Sequence, residues 1–297
     1  MKCSVIITSK NRPELAEAAI NSVLDQTIEA DEIIFINDNS TIDYDNIEIT
    51  YGNYIIYIKT TSNLGGAGAR NLGASLANND VLMFLDDDDL WERNKIETQL
   101  SYLKAHSECQ VVFTGRKIVN ISDRSNIIRE TKHRNIYSNQ NILIFMLNFV
   151  GVTSGVAINR NFFNSIGGFD ESLPCRQDYD LWIRACINGC NAAWDGTHSV
   201  IYTLHGSQGN QISNKGHLQE KALNILLSKY EREIKSLSNW NRRKCMAEKY
   251  FSVAKAYRNE SFLKRFYFAL KSFHAEPKLK TIILAIVPRK VLQWIGL

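Results

Sequence analysis

Four consecutive aspartates, Asp86, Asp87, Asp88 and Asp89, stand directly behind the apolar run Val81-Leu82-Met83-Phe84-Leu85 and directly ahead of Leu90-Trp91. A buried strand that ends there delivers a cluster of carboxylates to its own C-terminal edge. Crowded carboxylates repel one another unless a cation neutralises them. Hard divalent ions such as Mg²⁺ take oxygen ligands and keep positions open for phosphate oxygens, so this cluster suits a metal-bound nucleotide diphosphate. A solvated acidic turn is the plainer alternative, but a turn needs few aspartates, and Gly, Asn or Pro serve it equally well. An EF-hand loop is excluded, because Leu90 and Trp91 fill places that require a ligand and a glycine.

Positioning these carboxylates requires a sheet. Ser4-Val5-Ile6-Ile7-Thr8 reads as a strand, and Asn11-Arg12-Pro13-Glu14 supplies a polar cap and an early proline for a helix running to about residue 26. Further strands are expected at 33–36, ending in Asn37-Asp38-Asn39-Ser40, and at 55–58, ending near Asn63-Leu64-Gly65-Gly66. A helix over 67–78 leads to the strand at 81–85. Beyond Trp91 the pattern predicts a helix over 92–104, a strand over 110–114 and a polar, irregular loop or lid over 120–141. A strand follows at 155–158, then a short helix at 160–166 and a helix after Arg176 that ends at Gly189 as its C-cap. Apolar strands without polar alternation, separated by helices, imply a mostly parallel sheet covered on both faces. Ligands bind such sheets outside the strand C-terminal ends, so Thr8, Asp38, Arg70 and the aspartates are expected to converge there.

Composition narrows the class. The chain has 297 residues, 44% hydrophobic and 22% charged, which is ordinary globular composition rather than that of a disordered chain. Six scattered cysteines without Cys-x-x-Cys spacing, and no signal peptide ahead of the first strand, argue for a reduced cytoplasmic setting and against a disulfide framework or zinc. The net charge of +4 is unevenly placed, with 18 Lys and Arg against 6 Asp and Glu from Lys215 onward. That balance suits the anionic inner face of a membrane, and no run approaches the ~20 apolar residues of a spanning helix. Ile282 to Val287, with Lys278, Lys280, Arg289, Lys290 and Trp294 nearby, is expected either to lie on an anionic surface or to dock on the protein's own core.

The segments Ser4 to Thr8, Ile36-Asn37-Asp38-Asn39-Ser40, Gly68-Ala69-Arg70-Asn71, Phe84 to Trp91, Gly167-Gly168-Phe169-Asp170-Glu171 and Asp178-Tyr179-Asp180-Leu181-Trp182 stand in the order and spacing of family 2 glycosyltransferases. The resemblance covers about residues 2 to 206. It implies an α/β GT-A fold, a Rossmann-like mixed sheet flanked by helices, here with a basic helical region over 207–297. The GT-A domain would span 1–206, with a donor half at 1–110 and an acceptor half at 111–206. It also implies a nucleotide-sugar donor, usually UDP-linked, a Mg²⁺ or Mn²⁺ ion, and inversion at the anomeric carbon.

By the same resemblance Thr8 and Asp38 contact the nucleoside, and Arg70 the nucleotide or its diphosphate. An Asx turn is the structural alternative for Asp38. The glycines at 65–68 lack the ending of a Walker loop and carry little weight alone. If the strand continues, alternate aspartates share a face, so Asp86 and Asp88 form a pair. Asp88 is assigned as direct metal ligand, Asp86 and Asp87 to shared ribose and metal contacts, and Asp89 to capping the next helix. Inverting transfer needs a base for the acceptor hydroxyl, and Asp178 matches the family's base position, with helix capping as its structural alternative. His205 matches a histidine that many members use near the metal or diphosphate, although a lone His is more often a packing residue. Trp91 and Trp182 are read as core residues.

The resulting expectation is a membrane-peripheral inverting hexosyltransferase that adds a sugar to a polyprenyl-diphosphate-linked saccharide in O-antigen or capsule assembly, with no nucleic-acid partner. Two rivals stand beside it. A nucleotidyltransferase would attack phosphorus and release pyrophosphate. A noncatalytic sugar-nucleotide or membrane-binding protein would release nothing, and the intact Asp38, Asp88 and Asp178 argue against such decay.

Overall fold

A computed structural model describes residues 1–131, 146–148, 150–205 and 214–287. The chain divides into two compact units. The first comprises Met1–Asn141, Asn148–Glu171 and Leu181–Leu204, and the second Ile142–Leu147, Ser172–Asp180 and His205–Leu297.

In the first unit the chain runs β1 (Cys3–Ser9), α1 (Pro13–Leu24), β2 (Glu32–Asn37), α2 (Asp45–Tyr51), β3 (Ile56–Lys59), α3 (Gly65–Leu76) and β4 (Val81–Asp86). It continues through β5 (Leu90–Trp91), α4 (Lys95–Ala105), β6 (Val111–Phe113), β7 (Arg116–Asn120) and β8 (Asp123–Glu130). After a short 3-10 turn at Thr153–Gly155 come β9 (Val156–Asn159), α5 (Arg160–Ser165), α6 (Gln177–Ile187), whose residues up to Asp180 are counted in the second unit, β10 (Ala192–Trp194) and β11 (Val200–Leu204). Seven strands form one sheet in the order β10-β6-β9-β4-β1-β2-β3, and β5-β11-β7-β8 form a smaller one.

The central strands are parallel because helical crossovers connect them, and their side chains are buried on both faces. β9 alone runs antiparallel, inserted between β4 and β6, which makes the sheet mixed. α1 starts at Pro13, whose fixed φ suits a first turn, and buries Ala16, Ala19, Ile20 and Val23 as a helical stripe. α3 crosses β1 so closely that a Cβ at Gly73 would collide with the Ile6 side chain. Gly189, in the left-handed region at φ +76°, terminates α6 as expected.

Two local expectations change. α4 begins at Lys95 rather than Glu92, because β5 intervenes and pairs with β11. Residues 123–130 are a strand, not an irregular loop; β8 is exposed along nearly its whole length and pairs with β7 at one edge, so its apolar signal is weak. The remainder of the expected loop, 132–141, lies outside the described residues.

The second unit is helical from Gly216, with α7 (Gly216–Lys229), α8 (Glu231–Ser236), α9 (Asn239–Ala256), α10 (Phe262–Ala275) and α11 (Leu279–Ile286). Leu223, Val253, Ala254, Phe268, Ala269 and Leu284 form its core. The apolar run at 282–287 therefore divides: Leu284 and Ala285 are buried, whereas Ile282 and Ile286 are exposed. Arg289, Lys290 and Trp294 lie outside the described residues. Among the described residues no helix is long and apolar enough to cross a membrane.

Candidate active site

Because β1, β2 and β4 are parallel, the segments that follow Ser9, Asn37 and Asp86 emerge at one edge of the sheet. Thr8 stands in register with Asp86, and the Asp38 amide donates to the Ser9 carbonyl at 2.9 Å. Arg70, on the second turn of α3, forms an ion pair with Asp86. The structure thus gathers Thr8, Asp38, Arg70 and the aspartates at the strand C-termini.

The four aspartates do not continue the strand. β4 ends at Asp86 and a turn carries Asp87 and Asp88, so alternation across a strand is not what pairs them. The turn nevertheless brings one carboxylate oxygen each of Asp86, Asp88 and Asp89 within 4.8 Å of one another. Asp87 points inward and is fully buried, accepting from Ser9 Oγ at 2.7 Å and Arg12 Nε at 3.1 Å. Arg12 Nη1 also donates to Asp88 Oδ2 at 2.9 Å, and Arg124 donates to the Asp88 carbonyl at 3.3 Å. Asp89 is not a helix cap. Its carboxylate accepts from Ser154 Oγ at 2.7 Å and from the Thr203 amide at 3.2 Å, while Asn94 precedes α4.

Four carboxylates face the three guanidinium groups of Arg12, Arg70 and Arg124, which leaves a formal excess of one negative charge. Its strain is visible in the ionisation. Burial, reinforced by Asp88 and Asp86, pushes the Asp89 carboxyl well above its usual range. Burial likewise drives Asp87 up to about 7, against the pull of Arg12. Burial disfavours the Arg12 charge, but Asp87, Asp88 and Asp86 outweigh it and raise the Arg12 pKa. A cluster whose ionised form is this costly has the donor set for a hard divalent cation: three carboxylates, all oxygen, no thiolate or imidazole.

Asp38 is 5% exposed and accepts from the Leu64 amide at 2.6 Å and the Gly65 amide at 2.9 Å. It ties the end of β2 to the start of α3, which enters through Gly65 at φ +71°. The local turn is made instead by Asn37, whose Oδ1 accepts from the Ser40 amide at 3.0 Å. Gly65, Gly66 and Gly68 form the first turn of α3 itself rather than a loop beside it. Arg70 is held there by the Gly66 carbonyl at 3.1 Å and lies 5.6 Å from the Phe169 ring centroid. Asn71 fixes the segment carrying Phe169, accepting from the Phe169 amide at 2.8 Å and donating to its carbonyl at 2.9 Å. Gly168, at φ +62°, is required there, since a Cβ would sit 2.7 Å from Asn71 Oδ1.

Trp91 and Trp182 are core residues, their indole N–H groups donating to the Ser154 and Gly151 carbonyls. In the second unit, Asp178 lies within the first turn of α6, not ahead of it, and its carboxylate accepts from the Tyr179 amide at 2.7 Å. The preceding Arg176 takes a left-handed φ of +64° and is anchored by Gln219 and Ser252, each at 2.7 Å. Lys249 is buried with its ammonium 3.6 Å from the Tyr179 ring centroid. Burial, with help from Arg176, lowers its pKa to about 7, while Asp178 opposes that shift. Asp180 is fully buried against Lys229 at 2.8 Å and the Tyr230 hydroxyl at 2.6 Å. His205 follows directly on β11, and the described carboxylate cluster does not include it.

Sequence reasoning missed Arg12, Ser9, Ser154 and Tyr44. Tyr44 braces the loop after β1 by accepting from the Arg12 amide at 2.8 Å and sharing a 2.6 Å hydrogen bond with Ser9. Only Arg12 left a usable signal, as a cation in the first loop at the strand C-terminal edge.

Residues 4–167 match the model of glycosyl transferase family 2. An uncharacterised glycosyltransferase of Rickettsia felis is 30% identical over 239 residues, covering 78% of this chain but only 38% of that protein. An Escherichia coli relative, the UDP-Glc:alpha-D-GlcNAc-diphosphoundecaprenol beta-1,3-glucosyltransferase WfaP, is 28% identical over 231 residues, covering 76% of this chain and 85% of that one. Among solved structures, Staphylococcus aureus TarS 1-349 in complex with UDP-GlcNAc superposes with a TM-score of 0.60 at 15% identity, covering 93% of this chain and 90% of that one. That likeness shows the shared GT-A fold. With the family model spanning more than half the chain and ending where the Gly167-Gly168 turn begins, this protein belongs to glycosyl transferase family 2.

Proposed function

We propose that the protein is an inverting, metal-dependent hexosyltransferase that moves a sugar from a UDP-sugar to a hydroxyl of a polyprenyl-diphosphate-linked saccharide, in O-antigen or capsule assembly at the inner face of the cytoplasmic membrane. The observation that carries the reading is the trio of Asp86, Asp88 and Asp89, gathered within 4.8 Å beside Arg12 and Arg70 at the strand C-termini. The WfaP relative, named for a UDP-glucose donor and a diphosphoundecaprenol-linked acceptor, supports the donor and acceptor classes. Residues 1–206 would form the catalytic domain, with its donor half over 1–110 and acceptor half over 111–206, and 207–297 the basic helical region.

Asp88 and Asp86 would hold Mg²⁺ or Mn²⁺, with His205 as a further ligand. When bound, the ion supplies electrostatic stabilisation of the diphosphate charge. Thr8 and Asp38 orient the nucleoside. Asp38 Oδ1 accepts from both the Leu64 amide and the Thr60 hydroxyl, and Oδ2, which accepts the Gly65 amide, has a second lone pair to offer a base or ribose donor. Asp86 would meet the ribose and the metal, and Arg70 the diphosphate, whereas Asp87, expected to share those contacts, is buried against Ser9 and Arg12 and would act by holding Arg12 in place. Asp178 takes the acceptor hydroxyl proton as that oxygen bonds to the anomeric carbon and the sugar–phosphate bond breaks, releasing UDP.

A screen of nucleotide sugars for UDP release tests this reading. Release is expected with Mg²⁺ or Mn²⁺ and is expected to vanish in excess EDTA and in Asp88→Ala. Full activity in EDTA overturns the metal role, and release of pyrophosphate identifies a nucleotidyltransferase instead. NMR of the isolated glycoside should show the anomeric configuration opposite to the donor's.

A further inference from the structure

α10 carries an outward face that water does not favour. Phe262, Leu263, Phe266, Tyr267 and Leu270 are 58, 78, 36, 48 and 49% exposed. Their spacing places all five on one side of the helix, opposite the buried Arg265, Phe268, Ala269 and Ser272. Isolated exposed apolar residues are ordinary, but a contiguous stripe with three aromatic rings marks an interaction surface. α11 repeats the pattern, with Leu279, Ile282 and Ile286 exposed at 73, 40 and 63% and Leu284 and Ala285 turned to the core.

The charge on these helices selects the occupant. Neither α10 nor α11 contains an acidic residue; Lys271 borders the α10 stripe, while Lys264 beside it is paired with Glu220 at 2.9 Å and Lys280 on α11 faces Glu248 at 3.6 Å. Lys271 sits 4.6 Å from the Tyr267 ring centroid, so a cation and an aromatic ring share the stripe's edge. Aromatic and aliphatic side chains rimmed by lysines, on helices too short to cross a bilayer, form the pattern of a helix lying in the plane of an anionic lipid surface.

We propose that the outer face of α10, extended by α11, is a docking surface for anionic lipid bilayers. It goes beyond the glycosyltransferase reading and moves the membrane contact from the apolar run at 282–287, half of which is committed to the core, to the preceding helix. The membrane meets Phe262, Leu263 and Leu270, and Lys271 meets lipid phosphates.

The intact chain should sediment with vesicles of phosphatidylethanolamine and phosphatidylglycerol, should fail to sediment with pure phosphatidylcholine, and should be released by high salt. The double variant Leu263→Asp/Leu270→Asp should need at least ~10-fold more lipid for half-binding, since each change puts a charge where an apolar side chain enters the interface. It should keep the wild-type melting temperature, because both side chains are exposed. Ile49→Asp, an equally drastic change at an exposed residue of α2, should bind as the wild type does. Unchanged vesicle binding by the double variant overturns the proposal. Absence of vesicle binding by the wild type, with light scattering showing a dimer that the double variant dissociates, also overturns it and assigns the face to a second copy. UDP release measured on the same samples separates the two readings: vesicle binding without it leaves this face standing and removes the proposed reaction.

Discussion

Asp178 and Asp180 sit two residues apart in one helix, and replacing each should produce opposite phenotypes. Asp180 has no exposed surface, and its carboxylate accepts from Lys229 Nζ at 2.8 Å and from the Tyr230 hydroxyl at 2.6 Å. Asp180→Ala leaves the buried Tyr230 hydroxyl without this acceptor, at a cost of about 1–3 kcal/mol. It also removes a buried charge partner, for which losses of about 3–5 kcal/mol are typical. Lys229 is 32% exposed and can turn toward water, which reduces the second contribution. A net destabilisation of about 3 kcal/mol follows, seen as a fall in melting temperature on the order of 5–10 °C for a chain of this size. Asp178 is partly exposed, and its hydrogen bond to the Tyr179 amide can be made equally by an amide oxygen. Asp178→Asn should therefore melt within about 1 °C of wild type while kcat falls by ~10²-fold or more, the scale of general-base catalysis, with UDP-sugar affinity retained. Calorimetric melting and titration alongside UDP-release kinetics make the comparison. If Asp180→Ala melts normally, or if Asp178→Asn loses donor affinity together with rate, the separation of a structural from a catalytic aspartate is wrong.

Gly73→Ala should lose about 1–3 kcal/mol, because a Cβ there overlaps the Ile6 side chain where α3 crosses β1; urea unfolding at the wild-type midpoint would show no change if the crossing could relax. Lys95→Met should change how stability depends on pH. Lys95 is fully buried beside Gln99 and the Trp91 ring, and burial lowers its pKa to about 7 from an ordinary value of 10.5. Between those values the unfolded chain holds a proton that the folded chain lacks, so wild-type stability rises with pH, by at most ~5 kcal/mol, and the penalty is fully present below pH 7. The methionine variant removes that slope, and its stability relative to wild type should be greatest near pH 6. Parallel pH profiles of denaturant midpoints for the two proteins would show that Lys95 is not the cause.

Apolar patterning alone identified the strands of the sheet's parallel half and the helices α1 and α3, but not the short α2 at Asp45–Tyr51. β1, β2 and β4 are continuous apolar runs, and an unalternating run is legible when both faces are buried. The acidic cluster and the glycine-bearing turn at 167–168 were legible for a related reason, whereas Arg70 was singled out only by resemblance to the family. Carboxylates at a strand end and paired glycines are costly in ordinary structure, and their residue types alone mark them. β8 escaped because an exposed edge strand carries almost no apolar signal. Tertiary structure decided the partners. No local rule pairs Arg12 with Asp87 and Asp88, or Ser154 and Thr203 with Asp89, since these contacts span 65 to 114 residues. Tertiary structure likewise turned Asp87 inward and left Asp86, Asp88 and Asp89 together, where a straight strand would have paired alternate members. Periodicity records which residues seek burial, but the geometry of a turn, and the cations that a fold brings to it from elsewhere in the chain, are set only when the strands are packed side by side.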